Sequence, residues 1–90
     1  MRVRTLYFAR LKELTGRESE ELEVPDGSLC IDVVRELVRV HGSRMSAYVL
    51  DDNGNLRKSF ALAINGRKVG LDEPVSDGDT VVIIPPISGG

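Results

Sequence analysis

The sequence predicts an α+β fold, a mixed sheet packed on one main helix, on three observations. Val81–Ile84 is an unbroken run of β-favouring residues. The segment after Ser28 places Cys30, Ile31, Val34, Leu37, Val38 and His41 at three- and four-residue spacing, the stripe of an amphipathic helix. The turn pairs Asp26-Gly27, Asn65-Gly66 and Asp77-Gly78 then punctuate the remaining β-type segments. Ninety residues make a single domain spanning 1–90, with 85–90 as an extended C-terminal tail. A core of that size buries about three-fifths of the unfolded chain's surface.

In chain order, Arg2 to Arg10 sets Val3, Thr5, Tyr7 and Ala9 against Arg4, Leu6 and Phe8, a strand with apolar character on both faces. Leu11 to Leu14 reads as one helical turn closed by Gly16. Glu18 to Val24 alternates acidic residues with Leu22 and Val24 and ends at Pro25-Asp26-Gly27, so the first two strands form a hairpin with a long connection. Ser28 is expected to cap the main helix, with Asp32 near the positive end of its dipole and Gly42 as its stop after His41. Cys30 falls on the apolar stripe, the place of a small buried hydrophobe, and His41 is a capping or boundary residue.

Ser43 to Leu50 fits neither period cleanly; a short second helix and an extended segment both stay open. Asp51 to Asn55 is a turn, and Phe60 to Ile64 is a strand. Asn65-Gly66 is the hairpin turn into a returning arm over Arg67 to Leu71. Pro74 is expected to break further pairing, Asp77-Gly78 makes a last turn, and Asp79 leads into the final strand. With the first and last strands adjacent and parallel at the centre, this order is the β-grasp, or ubiquitin-like, arrangement. Val81–Ile84, apolar throughout, is expected at the centre with both sides covered.

Composition excludes several classes. Apolar residues at 41% and charged residues at 29% describe a soluble globule, and the longest apolar run is too short to span a bilayer. Met1 opens directly on a strand pattern without a signal-like segment, so the expected compartment is the cytoplasm and no membrane partner is expected. Net charge is −2 with the basic residues scattered, which leaves no stripe for nucleic acid. One cysteine cannot form an internal disulfide, and with one histidine it cannot supply a structural metal site. No metal and no stably bound cofactor are expected.

The candidate functional element is the tail. Pro85 and Pro86 cannot extend the last strand's ladder and favour a stiff extended shaft, so a partner's channel would order them at little entropic cost. Gly89 and Gly90 lack Cβ atoms, which leaves the terminal carboxyl carbon open to a phosphate or a sulfur nucleophile. From Pro85 to Gly90 an extended chain reaches roughly 20 Å beyond the body, at ~3.3 Å per residue. If the helix covers one sheet face, side chains of the other parity form an exposed apolar patch, with Phe8 and Ile84 as candidates and Ile87 on the tail. The alternative is that residues 43–58 fold over this face and bury it.

Leu6-Tyr7-Phe8-Ala9-Arg10-Leu11-Lys12-Glu13-Leu14-Thr15-Gly16, Phe60 to Arg67, Val75-Ser76-Asp77-Gly78-Asp79 and Ile84-Pro85-Pro86-Ile87-Ser88-Gly89-Gly90 together resemble the MoaD group, the small subunits of molybdopterin synthase within the MoaD/ThiS sulfur carriers. The resemblance covers nearly the whole chain, and the prolines favour the molybdopterin type over the thiamin type. It implies a carrier that is not an enzyme by itself and works through Gly90, with Gly89 beside it. An E1-like, MoeB-like enzyme would use ATP and Mg to adenylate the Gly90 carboxylate, and a sulfur donor would convert it to a thiocarboxylate. A MoaE-like large subunit would then pass the sulfur to a pterin precursor. Phe8, Ile84, Pro85, Pro86, Ile87 and Ser88 are the partner-binding candidates. The stretch Asp51 to Ser59 is longer than in a minimal carrier and resembles modifier-type members conjugated to lysines of other proteins. A protein modifier attached through Gly90, a sulfur carrier for tRNA thiolation or thiamin synthesis, and a non-covalent adaptor stay open beside the molybdopterin carrier.

Overall fold

The computed structural model describes residues 1–86. Its elements are β1 (Arg2–Leu6), α1 (Arg10–Thr15), β2 (Ser19–Glu23), α2 (Cys30–His41), α3 (Ser43–Val49), β3 (Ala61–Ile64), β4 (Arg67–Val69) and β5 (Thr80–Ile84). The five strands form one sheet in the order β2-β1-β5-β3-β4. β1 and β5 run parallel at its centre, with Arg4, Thr5 and Leu6 opposite Thr80, Val81 and Val82, and the other pairs are antiparallel. This is the expected β-grasp.

Alternation sorts the sheet into two faces. Val3 and Thr5 on β1, Leu22 on β2, Leu62 and Ile64 on β3, and Val81 and Ile83 on β5 are buried against the helices. α2 answers with Cys30, Val33, Val34 and Leu37, all essentially inaccessible. The expected stripe omitted Val33, which α2 buries because its apolar face is wider than a single three-four ridge. Ser43 to Val49 resolves as a helix that delivers Met45 and Val49 to the same core. Its packing on α1 and α2 overrides the mixed pattern that left this segment open.

Four expectations are corrected. The first strand stops at Leu6 rather than Arg10. Leu11 N–H donates to the Phe8 carbonyl at 3.1 Å, closing a turn in which Ala9 takes φ 51° and ψ −124°, the geometry of a II′ turn's first central residue. Ser28 does not cap α2: its hydroxyl donates to the Pro25 carbonyl at 2.7 Å, helping to close the preceding turn. Leu29 holds the N-cap position, and the Asp32 carboxylate accepts its N–H at 2.8 Å. Pro74 does not end pairing, because it forms an isolated bridge with Leu29 whose bonds come from its neighbours: Cys30 N–H to the Glu73 carbonyl and Val75 N–H to the Ser28 carbonyl. The missing proline N–H falls between those bonds.

The fourth correction bears on function. β5 is central, yet only one of its faces is covered. Thr80 and Val82 are half-buried and Ile84 is exposed, so the expectation of cover on both sides fails. The α3 segment joins the helical layer, so no helix among the described residues covers the opposite face.

Candidate functional site: the open sheet face and the base of the tail

The register of β1, β5 and β3 assembles the open face. Leu6 stands opposite Val82, which stands opposite Ala63, which stands opposite Lys68 on β4. Ile84 stands opposite Ala61. Phe8, two residues beyond Leu6, is 51% exposed and Ile84 is 38% exposed. Between them Ala61 is half-buried and Ala63 is buried among its strand neighbours. Toward the other end the face turns polar, where exposed Arg2 and Arg4 meet Glu21 and Glu23 at 3.1 to 4.0 Å. Such solvated pairs add little stability, but they bound the apolar strip.

Phe8 is held outward by what lies behind it. The neighbouring Tyr7 is buried, accepts a hydrogen bond from the Thr5 hydroxyl at 2.8 Å and donates to the Glu20 carboxylate. His41 Nε2 shares the same Glu20 oxygen, and Arg17 reaches the other oxygen at 3.1 Å. The Tyr7 and His41 rings meet edge to face at 6.0 Å. Burial pushes the Glu20 carboxyl upward, but the bonds from Tyr7 and His41 and the charge of Arg17 outweigh it and hold the group below its usual range. Burial, and then the bond to Glu20, push the Tyr7 phenol upward, so it stays a donor. This knot ties the end of α2 to the β1–β2 hairpin and fixes the backbone that presents Phe8. His41 is therefore a boundary residue, as expected, with a partner 21 residues away that no local pattern shows.

The single cysteine is not an activated nucleophile. Cys30 is fully buried, and burial, with the Glu73 charge, pushes its thiol up to about 11. No group of three or more metal-ligating side chains occurs among the described residues. What the site offers is an apolar landing strip ending where β5 passes into Pro85, which is half-buried, and Pro86, which is exposed. Ile87, Ser88, Gly89 and Gly90 lie outside the described residues. Leu6, Val82, Ala61 and Ala63 complete the strip without having been singled out in the sequence. Parity with Phe8 and Ile84 points to the first two, whereas the alanines needed the β3–β5 register.

With this geometry in place, comparison with known proteins is decisive. The family model described as ThiS family matches residues 5–90. The chain belongs to the ThiS family. This ThiS-family chain is 33% identical over 92 residues to the molybdopterin synthase sulfur carrier subunit of Chlamydomonas reinhardtii, covering all of both chains. It is 30% identical over 83 residues to small archaeal modifier protein 1 of Haloferax volcanii, covering 92% of this chain and 94% of the relative. The crystal structure of SAMP1 from Haloferax volcanii superposes with a TM-score of 0.92 at 28% identity, covering 100% of each chain. No helix among the described residues is long and apolar enough to cross a membrane.

Proposed function

We propose that this ThiS-family chain is the sulfur carrier of molybdopterin biosynthesis, the route to the molybdenum or tungsten cofactor, and that its working atom is the carboxyl carbon of Gly90. The observation that carries this reading is the full-length match to molybdopterin synthase sulfur carrier subunits, on a chain whose single cysteine is buried with its thiol held protonated. The chemistry then has to reside in the main chain. A carboxylate is a poor electrophile, so activation must come first: a Gly90 oxygen attacks the α-phosphorus of ATP and pyrophosphate leaves. A hydrosulfide-equivalent donor next attacks the acyl carbon, AMP departs with the C–O bond electrons, and a thiocarboxylate remains. Phosphate handling and Mg belong to an E1-like, MoeB-like enzyme, and sulfur delivery to a pterin precursor belongs to a MoaE-like large subunit. In this reading the chain contributes presentation: Phe8 and Ile84 dock, Pro85 and Pro86 stiffen the shaft, and Ile87 and Ser88 bind the partner along the tail.

A second reading is supported by the likeness to small archaeal modifier protein 1, in which the activated Gly90 is transferred to a lysine amine of another protein. Both outcomes share the adenylate. Intact-mass analysis after incubation with ATP, Mg, a sulfide donor and the host's E1-like enzyme separates them from inert alternatives. Replacement of one carboxyl oxygen by sulfur adds about 16 Da. The full chain is expected to gain that mass, and a variant lacking Gly89 and Gly90 is expected to gain none. An unchanged mass for the full chain overturns the carrier reading, and a Gly-Gly remnant on lysines of other proteins turns it toward the modifier.

A further inference from the structure

A second surface lies round the corner from the open sheet face, where α1 and α3 leave a cleft of about 320 Å³ lined by Arg10, Leu14, Arg44, Ala47 and Tyr48. Leu14, Ala47 and Tyr48 supply the apolar part of the lining, and Arg10 and Arg44 its charged part. Arg44 is exposed, with no ion pair among the described residues, and Arg10 meets only the exposed Glu13 at 3.4 Å. The site is thus locally cationic on a chain whose net charge is −2. It is also linked to the base of the tail through neighbouring residues. Tyr48 packs edge to face on Phe60 at 5.1 Å, and the next residue, Ala61, stands opposite Ile84, the last residue of β5. A protein that grips the tail therefore has this cleft within reach.

An apolar lining beside two exposed guanidinium groups, one in a solvated pair and one with no ion pair among the described residues, complements a segment whose apolar side chain is flanked by carboxylates. We propose that the α1–α3 cleft seats an acidic, apolar-tipped segment of the protein that receives the tail, extending the docking surface from the sheet onto the helices. The proposal rests on the reading of the tail as the activated group. Its charges would speed encounter as well as hold the complex, so binding through it weakens with added salt.

The test measures affinity of the full chain for the host's E1-like enzyme and, separately, for the large subunit. The double variant Arg10→Glu with Arg44→Glu changes two exposed side chains and is expected to keep the wild-type thermal midpoint. It is also expected to bind at least one of the two proteins about tenfold more weakly or worse. Ala47→Glu, which sets a carboxylate in the lining, should produce the same loss, whereas Arg10→Lys with Arg44→Lys should retain most of the affinity. Reversal variants that stay folded and bind both proteins as tightly as wild type overturn the cleft. If those variants also gain the sulfur mass normally, the carrier reading survives without it. A wild-type chain that binds neither protein overturns both.

Discussion

The two faces of β5 carry nearly the same chemistry and do opposite things. Val81 and Ile83 point into the helical layer and are almost inaccessible, while Val82 and Ile84, one residue on in each case, lie on a face that no element among the described residues covers. A period-two strand makes this division unavoidable, since consecutive side chains must take opposite sides. On a small domain one layer of helices suffices to hide one face. The other is left apolar where an ordinary solvated sheet would alternate to polar residues. Hydrophobicity on β5 thus stabilises the fold on one side and leaves a surface suited to a partner on the other.

Substitutions on adjacent residues break that comparison most directly. Ile83→Ala should cost about 2 to 5 kcal/mol in denaturant unfolding, through lost burial and the cavity left behind. Ile84→Ala should stay within about 0.5 kcal/mol. A large cost at Ile84 would mean that its face is covered after all. Phe8→Asp or Ile84→Asp should leave the domain folded and abolish binding to the activating enzyme. Equal binding by either folded variant would remove the docking role of the open face.

The buried side sharpens the contrast next, because it contains a polar knot that must be fully satisfied. Glu20→Ala strips the partner from Tyr7 and His41 and should destabilise by about 1 to 3 kcal/mol. Since Glu20 is held below its usual value of 4.5 in the folded chain, its contribution is present above that pH and is lost as pH falls through the lowered folded value. Wild-type and Glu20→Ala unfolding curves should therefore converge toward acid, and a gap that widens there would refute the assignment. Cys30, buried on the same side, should resist alkylation in the native chain and react once denaturant exposes it.

The smallest effect belongs to the turn beside Phe8. Ala9→Gly should stabilise by about 1 kcal/mol, because glycine accepts the positive φ that alanine adopts under strain. An unchanged or lower unfolding midpoint would mean the turn relaxes by another route.

Local and periodic features were legible from the residues. Asn65 and Gly66 turn with φ 51° and 83°, Gly16 closes α1 in the left-handed conformation, and α2 stops at Gly42, all as their residue types require. Pairings distant in sequence were not legible. The Glu20 knot joins residues 13 and 21 positions apart, and propensity holds no information about such meetings. Ser28 looked like a cap because serine suits that position, yet the Pro25 carbonyl lies closer to hand once the turn forms.

By itself, then, the sequence determined the order of helices and strands apart from Ser43 to Leu50, which side of α2 faces inward, and that Val81 to Ile84 is apolar at every position. Only the tertiary structure decided that α3 joins α1 and α2 on the same side of the sheet, leaving Leu6, Val82, Ala61 and Ile84 on a face that no helix among the described residues covers. The physical reason is that alternation fixes which residues share a face, whereas the choice of the face to be buried depends on where the helices pack.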